Sequence, residues 1–413
     1  MDRTDVLFLK ILNASVGNAP LTDGDVISRQ ELKAVFGLSR IHRVLPLAED
    51  QLYKHFDESR GERGDLAPLR AFYREARKLV IDQAARTAGF YLIYEAMRKE
   101  CLEPAVMKGL ILRSLYPKPG LRASVDEDLL IKPEEIGLYD RFLKERGFMP
   151  TDPDADITRE FELSYENKQT GLYLELHKQP FSPESEAYGD CNTFFEGALQ
   201  RTVIVTIDGI SFRTLCPTDH LLYLLCHAYK HFLHGGFGIR QVFDIGLFTE
   251  KYAEEIDWEE VVENCRKIRI LTFSGAIYGI LKKKLGAELS GLPAGLSGDG
   301  IDEQPLLQDI LEGGLYGAED PDRHHSAAVT INAVAASKTG KRPKGLFAAA
   351  FPGKEYLERH YPYAKNHPIL LPAAWAQRIV TYLGDKKKND PGKSLSIGRS
   401  RVELLREYGI IDD

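Results

Sequence analysis

Within one short stretch, Lys108-Gly109 is followed by Arg122 and then by Asp126-Glu127-Asp128, which runs into Leu129-Leu130-Ile131. Residues two apart in a strand project from the same face, so Asp126 and Asp128 converge while Glu127 faces the other way. Two carboxylates at close range repel one another, and a divalent cation between them is the simplest stabilising partner. A metal shell of this kind needs a third acid. Glu175, in the alternating run Leu172-Tyr173-Leu174-Glu175-Leu176-His177, fits best, with His177 on the same strand face. Adjacent antiparallel strands lie ~4.8 Å apart, which lets Glu175 reach the first pair. Two Mg²⁺ ions roughly 3.5–4 Å apart could then clamp the attacking and leaving oxygens of an in-line phosphoryl displacement.

The residues upstream suit the same chemistry. Gly109 lets backbone N–H groups approach phosphate oxygens without a Cβ in the way, and Lys108 adds a compact positive charge. Arg122 can hold a phosphate bidentately, or pair with Glu127 or Asp128. A further group, His227, His231 and His234, has offsets of four and three that put all three on one helix face. Zinc ligation, an active-site wall and plain helix packing are all open for it. The His-Glu-x-x-His signature is absent, because the run reads His227-Ala228-Tyr229-Lys230-His231.

These residues need a scaffold. Residues 1–104 read as helical, with one stripe through Val6, Leu9, Leu12 and Val16 and a longer one from Leu69 through Phe72, Ile81 and Leu92 to Met97. From 105 to 215 the pattern becomes strand, helix, strand, helix and hairpins, with turns at Asn167–Gly171 and Asp208-Gly209. Residues 216–285 return to helical periodicity behind the start signal Pro217-Thr218-Asp219. Gly- and Ser-rich residues 286–300 read as a linker, and 301–413 as a C-terminal region.

Within that last region, residues 338–388 carry 11 Lys+Arg against three acids, a local charge of +8 in a chain of net charge −7. The overall negative charge gives no strong nucleic-acid signal. The stretch Pro372–Leu383 ahead of Lys386-Lys387-Lys388 suits weak contact with a membrane surface or an anionic glycan, or a helix packed on its own domain. Five scattered cysteines without a Cys-x-x-Cys pair, no secretory signal pattern and no long apolar run make the expected location cytoplasmic, with a membrane-peripheral reading open through that basic segment.

The run Ala105–Pro133, with Glu175-Leu176-His177 and the helix Leu221 to Asp244, resembles the uncharacterised nucleotidyltransferase family of bacteria, within the DNA polymerase β-like superfamily. Met107-Lys108-Gly109, Tyr116–Arg122, Asp126-Glu127-Asp128 and Glu175-Leu176-His177 carry the resemblance over roughly residues 80–270. It implies an α+β fold, with a small polymerase-β-like nucleotidyltransferase palm (a mixed sheet) between mainly helical N- and C-terminal regions. It also implies transfer of NMP from an NTP to an acceptor hydroxyl with Mg²⁺ or Mn²⁺ and release of pyrophosphate. The acceptor would be a glycan, a lipid-linked sugar or a peptide. Asp126, Asp128 and Glu175 would be the catalytic metal ligands, and Lys108, Gly109, Arg122, His177, His227, His231 and Arg240 the nucleotide contacts. Arg240 could alternatively pair with Asp244 one turn on. Two departures stand out: Lys-Gly replaces the usual Gly-Ser or Gly-Gly, and the charged Glu127 replaces an apolar residue, which implies an exposed back face or a partner such as Arg122. Alternatives are a non-catalytic nucleotide-binding scaffold, or a transferase that modifies protein or tRNA.

Overall fold

The computed structural model describes residues 1–17, 19–22, 24–58, 67–317, 321–340, 363, 370–384 and 391–412. Four helices come first: α1 (Arg3–Ser15), α2 (Arg29–Ile41), α3 (Leu45–Glu58) and α4 (Ala67–Lys99). Asp2 caps α1, accepting from the Asp5 amide while the Asp5 side chain accepts from that of Asp2. The long stripe of α4 holds in part. Phe72, Ala76, Phe90, Tyr94 and Met97 are buried, but Ile81 and Leu92 face outward, because at 3.6 residues per turn they fall on the opposite side of α4 from the others.

The central unit alternates strand and helix: β1 (Ala105–Val106), α5 (Leu110–Arg113), β2 (Asp126–Leu130), α6 (Ile136–Glu145), β3 (Met149–Pro150), β4 (Glu162–Asn167), β5 (Leu172–His177), β6 (Val203–Ile207) and β7 (Ile210–Thr214). They form one seven-stranded sheet in the order β3-β4-β5-β2-β1-β7-β6. The β6–β7 hairpin turns on Asp208 (φ 51°) and Gly209 (φ 81°), the two left-handed residues that a two-residue turn requires. The sheet is mixed: β1 runs antiparallel to β2 and parallel to β7. β2 and β5 also run parallel, not antiparallel, because β5 returns beside β2 through the intervening α6–β3–β4 excursion. The register sets Asp126 opposite Tyr173 and Asp128 opposite Glu175.

Strand alternation divides the sheet between two cores. Leu129, Ile131, Leu172, Leu174 and Leu176 join Phe90 and Tyr94 of α4 and Tyr139 and Phe142 of α6. Ala105, Met107 and Leu130 join the opposite core with the first helices and with α7 (Pro217–Leu233), α8 (Ile239–Tyr252), α9 (Trp258–Lys267) and α10 (Leu271–Lys283). Residues 286–300 are irregular yet lie on α10. Leu296 is fully buried, and Gly298 (φ +73°) sits so close to the Gly279 backbone that a Cβ would be 2.7 Å from it.

The chain continues through α11 (Gln304–Gly313), α12 (Pro321–Thr339), α13 (Leu371–Gly384) and α14 (Pro391–Glu407). Buried Arg401 of α14 and Arg323 of α12 both bond Asp309 of α11 and tie these helices together. The amphipathic Pro372–Leu383 stretch is α13. Residues 341–362, 364–369 and 385–388, most of the basic segment 338–388, lie outside the described residues.

Candidate active site

Asp126 and Asp128 share one face of β2, and Tyr173, Glu175 and His177 share the matching face of β5. Because the strands are parallel neighbours in register, Asp128 and Glu175 stand side by side. Asp128, Glu175 and His177 each offer a ligand atom, and these atoms lie within 4.8 Å of one another. Among the described residues this is the group able to hold a metal ion; Asp126, half-buried at the mouth, stands outside it. His177 Nε2 lies 3.3 Å from Asp128 Oδ1 and 3.6 Å from Glu175 Oε2. Its Nδ1 lies 3.6 Å from Glu162 Oε2, an acid that sequence reasoning missed although β4 sets it directly opposite His177.

The charges are unevenly satisfied. Burial works against the Asp128 carboxylate, but Lys108 Nζ at 2.9 Å and His177 outweigh it and hold the group well below the usual carboxylate range. Burial alone would lower His177; its hydrogen bonds to Asp128 and Glu175, with the charge of Glu162, lift it to about 9. Glu175 is pushed upward, chiefly by burial and with the charge of Asp128 adding to it. Asp128 Oδ2 is buried without a hydrogen-bond partner. An orphaned oxygen on a carboxylate that neighbours a second carboxylate and an imidazole fits a hard divalent cation.

Lys108 reaches three groups at once: Asp128, Asp126 Oδ2 at 3.5 Å, and His227 Nε2 at 3.1 Å. His231 Nε2 lies 2.9 Å from His227 Nε2. Burial, and then the positive charges of Lys108 and Lys230, keep both rings neutral, with pKa values well below 6.5. They form a wall beside the carboxylates. His234 leaves this wall: it follows the last residue of α7, and its Nε2 meets the Tyr188 hydroxyl at 3.0 Å. The three histidines therefore do not converge.

Gly109 and Glu127 explain one another. Glu127 is buried, its back face is not exposed, and its partner is Arg113 rather than Arg122. Its Oε2 also accepts the Leu110 amide at 2.7 Å, capping α5. Gly109 (φ +52°) leaves the space for that carboxylate, since a Cβ there would sit 2.0 Å from Glu127 Oε2. Arg122, also buried, donates from Nε and Nη2 to the two oxygens of Asp244 at 2.7 Å each, and Tyr116 donates to the same carboxylate at 2.9 Å. Asp244 is thus held by Arg122 and Tyr116 and not by Arg240, whose Nη1 donates to the Ala123 carbonyl.

Lys108, Gly109, Arg122 and His227 face a cavity of only about 30 Å³. On the other side of Asp126 an open cleft of about 520 Å³ is lined by Asp126, Glu175 and Arg240 from the central unit and by Arg40, Arg43 and Arg86 from the first helices. The sequence offered no periodic signal for these last three arginines.

A family profile described as uncharacterised nucleotidyltransferase matches residues 28–286. The chain belongs to this family. The match spans the central sheet, α7 to α10 and also α2 to α4, and begins after α1. The mixed sheet is the nucleotidyltransferase palm, set between mainly helical regions. Membership makes the protein a transferase of nucleotidyl groups, with a nucleoside triphosphate as donor. No curated protein and no solved structure matches the chain. No described helix is long and apolar enough to cross a membrane.

Proposed function

We propose that the protein transfers an NMP from an NTP to an acceptor hydroxyl and releases pyrophosphate, using Mg²⁺ or Mn²⁺. Asp128 and Glu175 would hold the ion, with His177 and Asp126 at its edge, and the bound ion would supply Lewis-acid stabilisation of charge at the α-phosphate. Lys108 orients the two aspartates and balances their charge. The neutral His227 and His231 would wall the site without adding charge to it. The buried histidine wall and the depth of Asp128 keep water from the reacting centre. The observation that carries this reading is the buried, unpartnered Asp128 oxygen next to Glu175, which itself lines a cleft large enough for a nucleotide. A glycan, lipid-linked sugar or peptide hydroxyl is the acceptor class proposed, and the compartment proposed is the cytoplasm.

The test is incubation of the pure protein with each labelled NTP and Mg²⁺ or Mn²⁺, reading pyrophosphate and thermal shift together. Pyrophosphate release supports transfer, and neither signal with any NTP would sink the scheme. One observation favours a second reading, a non-catalytic nucleotide-binding scaffold. Lys108 already neutralises Asp128 from 2.9 Å, as a resident cation would. A thermal shift without pyrophosphate selects that reading.

A further inference from the structure

The turn that should grip phosphates is already filled. The α5 amide that would meet a phosphate, that of Leu110, donates to Glu127. The space above Gly109 is taken by the same carboxylate. The cavity facing Lys108 and Gly109, about 30 Å³, holds little more than one water. Neither the Leu110 amide nor the space above Gly109 is left for a phosphate.

The arginine cleft offers what the turn lacks. Arg40 is spent on Glu75, through two bonds of 2.7 and 2.8 Å. Arg43, Arg86 and Arg240 have no carboxylate partner among the described residues. Arg86 donates only to the carbonyls of Gly171 and Ser124. Arg240 is 7% exposed, and its Nε is buried without a partner. Arg43 is exposed, and nothing among the described residues engages its guanidinium.

Its backbone strengthens the point. Arg43 follows α2 at φ 54°, where the Val44 amide closes on the Ser39 carbonyl, a left-handed helix end that ordinarily selects glycine. Arg269 occupies the same kind of position after α9 and grips both oxygens of Asp412. A guanidinium left without an internal partner can take a planar or tetrahedral oxyanion bidentately, as that of Arg269 takes Asp412.

We propose that the triphosphate of the donor nucleotide lies in this cleft, held by Arg43, Arg86 and Arg240, and not on the Lys108–Gly109 turn. The inference rests on the nucleotidyl-transfer reading and deepens it. The N-terminal helices then complete the donor site: the end of α2 supplies Arg43, α4 supplies Arg86, and Asp126 and Glu175 line the same cleft. Three positive charges without acidic partners face a ligand of about four negative charges and its bound cation.

The experiment is titration of the full-length protein with NTP and with inorganic tripolyphosphate in Mg²⁺, for wild type, Arg43→Asn, Arg43→Lys and Arg86→Gln. Tripolyphosphate should compete with NTP, and Arg43→Asn and Arg86→Gln should each weaken both ligands roughly 10- to 100-fold. Arg43→Lys should retain much of the affinity, and thermal melting of Arg43→Asn should not fall below wild type, since no bond engages the guanidinium and asparagine tolerates the left-handed backbone. Wild-type NTP affinity in Arg43→Asn and Arg86→Gln, with pyrophosphate still released, would overturn this site and leave nucleotidyl transfer standing. The cleft would then belong to the acceptor. A wild type that binds neither ligand and releases no pyrophosphate would overturn both.

Discussion

Asp126, Glu127 and Asp128 are consecutive acids of one strand, and the two sides of that strand use them in opposite ways. On one side Glu127 is sealed in the core with Arg113 and the Leu110 amide, its oxygens matched to donors. On the other, Asp128 is equally buried but keeps one oxygen without a partner, beside Glu175 and His177. Burial costs a carboxylate the same on either side. The difference lies in completion: a finished ion pair makes structure, while an unfinished one leaves a place for a ligand.

Removing Glu127 should have the largest effect. Glu127→Ala strands a buried guanidinium and should cost about 3–5 kcal/mol in urea unfolding; a loss under about 1 kcal/mol would mean that the pair is solvent-screened. Asp128→Asn and Glu175→Gln sharpen the contrast on the other face. Each should cut transfer by roughly 10²–10³, but their stabilities should move oppositely. Asp128 is held below its ordinary pKa by Lys108 and His177, so its charge stabilises the folded protein, and Asp128→Asn should lower the melting temperature. Glu175 is pushed up by burial, so Glu175→Gln should melt at or above wild type.

Away from the strand, His42 tests what a buried group does without a charged partner. It ends α2, accepts the Ile239 amide at 3.2 Å, and is lowered by burial to about 4. The unfolded chain takes up its proton first, so stability should fall as pH drops from 6.5 towards 4, by about 3 kcal/mol from this residue. The urea midpoint of His42→Gln should depend less on pH across that window. The smallest effect concerns Gly109. Gly109→Ala needs an unfavourable φ and pushes Glu127 aside, costing about 1–3 kcal/mol. An unchanged melting temperature would show that Glu127 has room to move.

Much of this was legible in the residues. Asp126, Asp128, Glu175 and His177 could be placed on matching strand faces because strand periodicity is local and exact. The Pro217 start of α7 and the Asp208-Gly209 hairpin were legible for the same reason. The partnerships were not. Arg122 could have met Glu127, Asp128 or a phosphate, and it met Asp244, 122 residues away. Arg43, Arg86 and Glu162 carry no motif, because their positions depend on how α2 and α4 pack on the sheet and on which strand pairs with β5.

The sequence by itself determined which side chains share a face, which turns need glycine, and that acids were concentrated where a cation could serve them. These follow from backbone geometry over a few residues. Tertiary structure alone decided that β2 and β5 run parallel, that Glu127 would be neutralised by Arg113 and Asp128 left incomplete, and that arginines from the first helices would border the carboxylates. A charge in the core is stabilised or stranded by whatever packs within a few ångströms of it. That neighbourhood is assembled from segments far apart along the chain.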